Sequence, residues 1–69
     1  MSLNNSVGIL MREWAKTHQM RVSKDAINEL TERLLDYIET ITFQCSLKAK
    51  RDDRKTIKEE DMTEVFSYV

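Results

Sequence analysis

Two short basic segments carry the side chains best suited to chemistry in this sequence: Arg21-Val22-Ser23 and, well downstream, Arg54-Lys55-Thr56-Ile57. Each sets a guanidinium and a hydroxyl beside a β-branched residue that favours extended backbone. Each therefore reads as a tight loop holding its hydrogen-bond donors outward. Together they have the composition of an anion clamp, and phosphate oxygens are the natural acceptors for such donors. No other chemistry competes with this one. His18 has no Cys, Asp or Glu at metal-ligand spacing and reads as a solvated or capping residue. Cys45, the only cysteine, cannot form an internal disulfide, and on an apolar stripe it reads as a small buried hydrophobe. The carboxylates are scattered over helical faces, with no pair set in an apolar pocket for acid–base work. The sequence thus points to no enzyme, no metal, no cofactor and no small-molecule substrate.

The elements that must position these loops are helical. The chain has 69 residues with no proline and a single glycine, Gly8, which removes most of the chemistry of hairpins and makes an all-α single domain over 1–69 the expectation. Val7, Leu10, Met11 and Trp14 fall at i, i+3, i+4 and i+7, which predicts a first helix over about 6–17, capped by Asn5 or Ser6, with Trp14 in the core. No glycine follows it, so His18-Gln19-Met20 must make the exit. Ser23 is placed to cap a second helix with Asp25 in its first turn, continuing to about Lys50. Glu59, Glu60 and Asp61 fill the first turn of a third helix, whose stripe is Met62, Val65, Phe66 and Val69.

The long helix raises a burial problem. Ala26, Ile27, Leu30, Leu34, Tyr37, Ile38, Ile41, Cys45 and Ala49 gather into one stripe along roughly 40 Å at 1.5 Å per residue, more than two short helices can cover. A compact fold of this size buries roughly 7,000 Å², worth about 100 kcal/mol if about 60% is apolar. Ordering the chain at about 1.5 kcal/mol per residue costs as much. A second molecule packing across the central helix is the physical inference, with Leu30, Leu34, Tyr37, Ile38, Ile41 and Cys45 at its interface.

From Arg21 to Asp61, and most specifically at the two loop motifs, the chain resembles the histone-fold family, closest to the archaeal histones. The resemblance implies a histone fold of short helix, loop, long central helix, loop and short helix, assembled as a handshake dimer with itself or with a second histone-fold chain. It implies that Arg21 points toward a DNA minor groove, where a narrowed groove attracts a guanidinium. It also implies that Arg54 and Asp61 form a loop-fixing salt bridge, which leaves direct phosphate contact by Arg54 as the lesser reading. Ser23, Lys55, Thr56 and Lys58 join the candidate DNA-binding set, against the plain alternative of a solvated loop. Arg12 and Lys16, one turn apart on the polar side of the first helix, add to it. Where archaeal histones often carry a further basic residue, Ala15 stands here.

Charge divides the functional readings. The net charge is −1; residues 1–23 carry three basic side chains and one acidic, whereas residues 51–69 carry four basic and six acidic. Local potential over the loops matters more to DNA than the total, but Asp52 and Asp53 weaken the field of the second loop. The leading expectation is a non-specific, DNA-compacting histone-like dimer acting on duplex DNA through paired basic loops. The alternative, which the resemblance also allows, is a near-neutral histone-fold scaffold subunit that heterodimerises within a transcription or kinetochore complex. No apolar run reaches the roughly 18 residues of a membrane span and no signal-peptide pattern opens the chain. The expected setting is intracellular and chromosome-associated, in an archaeal cytoplasm or nucleoid or in a eukaryotic nucleus.

Four residues fall outside the family pattern. Phe43 and Leu47 meet at i and i+4 on the face of the long helix opposite its stripe, beside Asp36 and Lys50, which implies a higher-order contact. Arg51 stands where archaeal histones have a histidine that helps join dimers, and it belongs to the same expected contact. Lys48 falls inside the stripe, where its stem can pack while the ammonium reaches water.

Overall fold

The computed structural model describes residues 2–67. It contains three helices, α1 Leu3–Thr17, α2 Lys24–Arg51 and α3 Glu59–Phe66, and no strand among the described residues. The first helix starts one turn earlier than expected. Ser2, not Asn5 or Ser6, is its cap, with Oγ accepting the Asn5 N–H at 3.2 Å. Ser2, Asn5 and Ser6 are all good capping residues, and nothing between them breaks a helix, so the outermost one takes the role. The start of α2 uses Ser23, whose Oγ accepts the Ala26 N–H at 3.1 Å, with Asp25 in the first turn against the positive end of the helix dipole.

Both helix exits are built the same way without glycine. After α1, Gln19 adopts a left-handed backbone (φ 59°), its N–H donates to the Lys16 carbonyl and the Met20 N–H to that of Ala15, each at 3.0 Å. After α2, Asp53 is left-handed (φ 58°), its N–H donates to Lys50 O at 3.0 Å and the Arg54 N–H to Ala49 O at 2.8 Å. This pair of bonds is the Schellman motif, which satisfies carbonyls the ending helix leaves free and reverses the chain. His18 supplies the cap position of the first, as its backbone N–H bonds the Ala15 and Lys16 carbonyls.

The chain divides into two compact units, Met1–Leu35 and Asp36–Val69, with the division inside α2. In the first, Val7 and Gly8 of α1 pack on Ile27 and Thr31 of α2, all four buried. A Cβ at Gly8 would stand 3.4 Å from the Ile27 side chain, an ordinary van der Waals distance, and 3.2 Å from Nη1 of Arg12, which folds back over the glycine. Asn4 donates to the Asn28 side-chain oxygen at 2.7 Å, and the buried Thr31 hydroxyl donates to Ile27 O at 2.8 Å, leaving no buried polar atom of that pair unpaired. Trp14 is not in this core. Its side chain is 69% exposed, because α1 turns the face of Val7, Gly8, Met11 and Ala15 inward and leaves Leu10 and Trp14 to the side.

In the second unit Cys45 and Ala49 are buried beneath α3, the Cys45 thiol 3.3 Å from the Met62 sulfur, and the Tyr37 and Phe66 rings lie 6.4 Å apart. Cys45 therefore leaves the expected set of interface residues: its own chain encloses it completely, so it offers no atom to a partner. Leu30, Leu34 and Ile41 are half-buried, while Tyr37 and Ile38 remain exposed. Val69, expected in the stripe of α3, lies outside the described residues. Among the described residues, no helix is long and apolar enough to cross a membrane.

The two left-handed residues make a direct stability prediction. Gln19→Gly removes the steric cost of that conformation and should raise stability by about 1 kcal/mol. Asp53→Gly should gain less, because aspartate tolerates the left-handed region better than glutamine. Thermal melts of both variants test this, and a loss of stability at Gln19 would show that the exit is not built around that backbone.

Candidate nucleic-acid interface

The reversal at Gln19 lays the first loop back along the last turns of α1. Arg12 and Lys16, at i and i+4, and Arg21 with Met20 and Val22, line one shallow hollow in the first unit. Three sequence-predicted basic residues thus line one hollow, with the Arg12 guanidinium lying back over Gly8, and among the described residues none of the three is in an ion pair. Ser23 stands apart in function: its oxygen is committed as acceptor at the start of α2, and only its hydroxyl proton remains to be donated outward.

The second loop is organised by one carboxylate. Asp61 is fully buried in the first turn of α3. Its Oδ1 accepts from Arg54 Nη2 at 2.6 Å and Lys48 Nζ at 3.2 Å, and its Oδ2 from the Lys58 backbone N–H at 2.8 Å and Arg54 Nη1 at 3.1 Å. Arg54 Nη1 also donates to the Thr56 carbonyl at 2.9 Å, so one guanidinium ties the middle of the loop to the helix that follows. The Arg54 hydrogen bonds, first, and the Lys58 N–H hold the Asp61 carboxyl far below the usual carboxylate range. The same contact raises the Arg54 guanidinium further above its already high value. Lys48, raised by its bonds to Asp52 and then Asp61, and Asp52, lowered by Lys48 and then Arg54, complete the network.

This geometry corrects two expectations. Arg54 is no phosphate donor, since Nη2 also meets Asp52 Oδ2 and Glu60 Oε1, each at 3.2 Å, and the side chain is mostly enclosed. Lys48 does not send its ammonium to water; Asp52 at 3.1 Å and Asp61 at 3.2 Å hold it inside the network. Sequence reasoning missed Lys48, Asp52 and Glu60 as members of this site. The Lys48–Asp52 pair had a signal, an i, i+4 spacing of opposite charges. The carboxylates of Asp52, Glu60 and Asp61 lie close enough together to suggest a metal site, but the Arg54 guanidinium bonds all three.

The remaining loop candidates face outward. Lys55, Thr56 and Lys58 are exposed, and neither lysine is in an ion pair among the described residues. Thr56 is held through its carbonyl, which leaves its hydroxyl outside the network. Arg51 pairs within the chain, Nη2 to Glu64 Oε2 at 2.9 Å, while Phe43 and Leu47 are exposed.

Three helices with this spacing, two structured loops and an ion-paired second loop define a histone fold. The family model for histone-like transcription factors (CBF/NF-Y) and archaeal histones matches residues 4–66, and the chain belongs to that family. Neither the curated proteins nor the solved structures yield a match. The family is one of structural, DNA-binding, chromatin proteins rather than enzymes, and its fold implies dimerisation.

The Asp61 carboxyl sets an acid limit. A group whose folded pKa is depressed contributes stability that is present above its unfolded value of about 3.9 and is lost as pH falls through the folded value. Melting temperature should therefore drop steeply below about pH 4. Asp61→Asn should melt lower at pH 7 yet lose less on acidification, since its side chain has no proton to take up. Equal acid slopes for variant and parent would place the titrating groups elsewhere.

Proposed function

We propose that the chain acts as a single histone-fold domain in a handshake dimer that binds the backbone of duplex DNA without base preference and bends or compacts it. The observation that carries this reading is the hollow lined by Arg12, Lys16 and Arg21, three basic residues with no ion pair of their own among the described residues. Cations left unpaired around one hollow are suited to phosphates, and Arg21 is suited to a narrowed minor groove. Lys55, Thr56 and Lys58 supply the second loop's contribution, with Ser23 donating its hydroxyl beside the first. Arg54 and Asp61 act one step back, by holding the loop that presents them. The proposed partner chain is an identical copy, and the proposed setting is chromosome-associated.

Dimerisation rests on exposed apolar surface. Tyr37, Ile38, Met62 and Phe66 line one apolar hollow of the second unit, and all four are more than a third exposed. If association completes folding, the melting midpoint must rise with protein concentration. Leu34→Asp or Ile38→Asp, each placing a carboxylate in the stripe, should unfold the chain. A concentration-independent melt of a folded monomer would remove the dimer from this reading.

A scaffold role in a heterodimer is supported by a different observation: Lys48, Arg51 and Arg54 are all spent on ion pairs within the chain, which thins the cationic surface of the second unit. Salt dependence separates the two. Two copies of each loop offer on the order of 4 to 8 phosphate contacts, so log K should fall with log salt at about 0.9 per contact. Arg21→Ala with Lys55→Ala should weaken binding equally on unrelated duplexes and flatten that slope while leaving the melt unchanged. Binding that is undetectable at about 50 mM salt, or indifferent to both substitutions, favours the scaffold.

A further inference from the structure

The outward face of α2 in the second unit carries surface that neither loop uses. Phe43 is 58% exposed and Leu47 47%, one turn apart, on the side of the helix away from the buried Cys45 and Ala49. The hollow beside Phe43 is shared with Asp36, Glu39 and Thr40, and the hollow beside Leu47 also includes Thr40, so the two form a continuous strip. Charge along this strip is polarised. Asp36 and Glu39 precede the apolar pair and Lys50 follows it, and among the described residues none of the three is in an ion pair. Arg51, the next cation, is already held by Glu64.

We propose that this strip is an interface between two copies of the chain, their α2 helices antiparallel about a two-fold axis, with Phe43 of each copy on Leu47 of the other and Glu39 of each paired with Lys50 of the other. Reversing the helix about the midpoint of Phe43 and Leu47 exchanges those two residues. The same operation carries Glu39 to the level of residue 51, within a single rise of about 1.5 Å from Lys50. The pattern is self-complementary, as an isologous contact requires. A parallel arrangement would set Glu39 against Glu39 and Asp36 against Asp36, and a purely basic partner would leave Lys50 unanswered. The Leu47 hollow also reaches Ile41, but Phe43 and Leu47 stand on the side of α2 opposite Tyr37 and Ile38, the exposed part of the stripe proposed to close the dimer, so the strip joins dimers, and it rests on that reading only for the size of the unit joined. Two apolar side chains per copy make a small contact, well below a standard interface, so the association is weak and needs high concentration.

Sedimentation of the full chain without DNA, from about 10 μM to about 0.5 mM, tests the proposal in the range where so small an interface associates. The mass should grow with concentration above that of the smallest species, and Phe43→Ser with Leu47→Lys should abolish the growth without lowering the melt. Glu39→Lys or Lys50→Glu alone should weaken the growth about tenfold. Mixing those two variants in equal amounts should restore it, because each then supplies the charge the other lacks. Absence of growth in the parent chain, growth that survives the apolar substitutions, or a mixture no better than its components would each overturn the proposal. Should the apolar variant fail to fold, the charge swaps at exposed positions still decide the matter. A smallest species with the mass of one chain would instead count against the handshake dimer.

Discussion

A carboxylate removed from water survives as an anion only if every lone pair finds a donor, and Asp61 meets that condition with four bonds from three residues. The second unit depends on this one group. Arg54 leaves the end of α2, Lys48 stands a turn before that end, and the Lys58 N–H belongs to the start of α3, so a single side chain fastens helix, loop and helix. The arrangement also decides which cations are free for other work. Lys48 and Arg54 are consumed in holding the loop, whereas Lys55 and Lys58 are left outside it. A loop held from within can present donors outward without ordering them anew at each encounter, which lowers the entropy lost on binding.

The first unit reaches a comparable order with less charge. Its pieces are the buried contact of Gly8 with Ile27, an asparagine pair across the two helices and a left-handed glutamine that turns the chain back. Among the described residues the buried apolar ones are few in both units: Val7 and Ile27 in one, Cys45 and Ala49 in the other. Against these stand many large exposed apolar side chains, Ile9, Leu10, Trp14, Leu35 and Ile38 among them. Surface of that extent is a reason to expect a partner, in keeping with a family whose fold implies dimerisation.

Much of the fold was legible because helices announce themselves by period and by cap. The long helix, its Ser23 cap and the acidic first turn of α3 follow from local residues alone. The start of α1 did not, because Ser2, Asn5 and Ser6 are chemically equivalent as caps. Trp14 was misplaced because a periodic stripe gives the width of an apolar face, while its centre is chosen by close contact, here at Gly8 and Ile27. Cys45 shows the same limit from the other side: its position predicts burial but not whether its own chain or another covers it. In the candidate site, Arg21 and Arg54 stood out through their loop motifs. Lys48 did not, since its main buried partner, Asp61, is 13 residues away on another helix and no local spacing reports it.

The two helix exits have a kinetic meaning. Each closes its turn with hydrogen bonds that span five residues or fewer, such as Met20 to Ala15 and Arg54 to Ala49. Contacts between helices inside each unit also close over short stretches, 24 residues for Asn4 to Asn28, 17 for Cys45 to Met62 and 13 for Arg51 to Glu64. Loop-closure entropy is small at such separations, and chains dominated by local contacts fold on the microsecond to millisecond scale. Within one chain the search is therefore brief. Since the family's fold implies dimerisation, the slower step is the encounter of one chain with another, and its rate depends on concentration where folding within a chain does not.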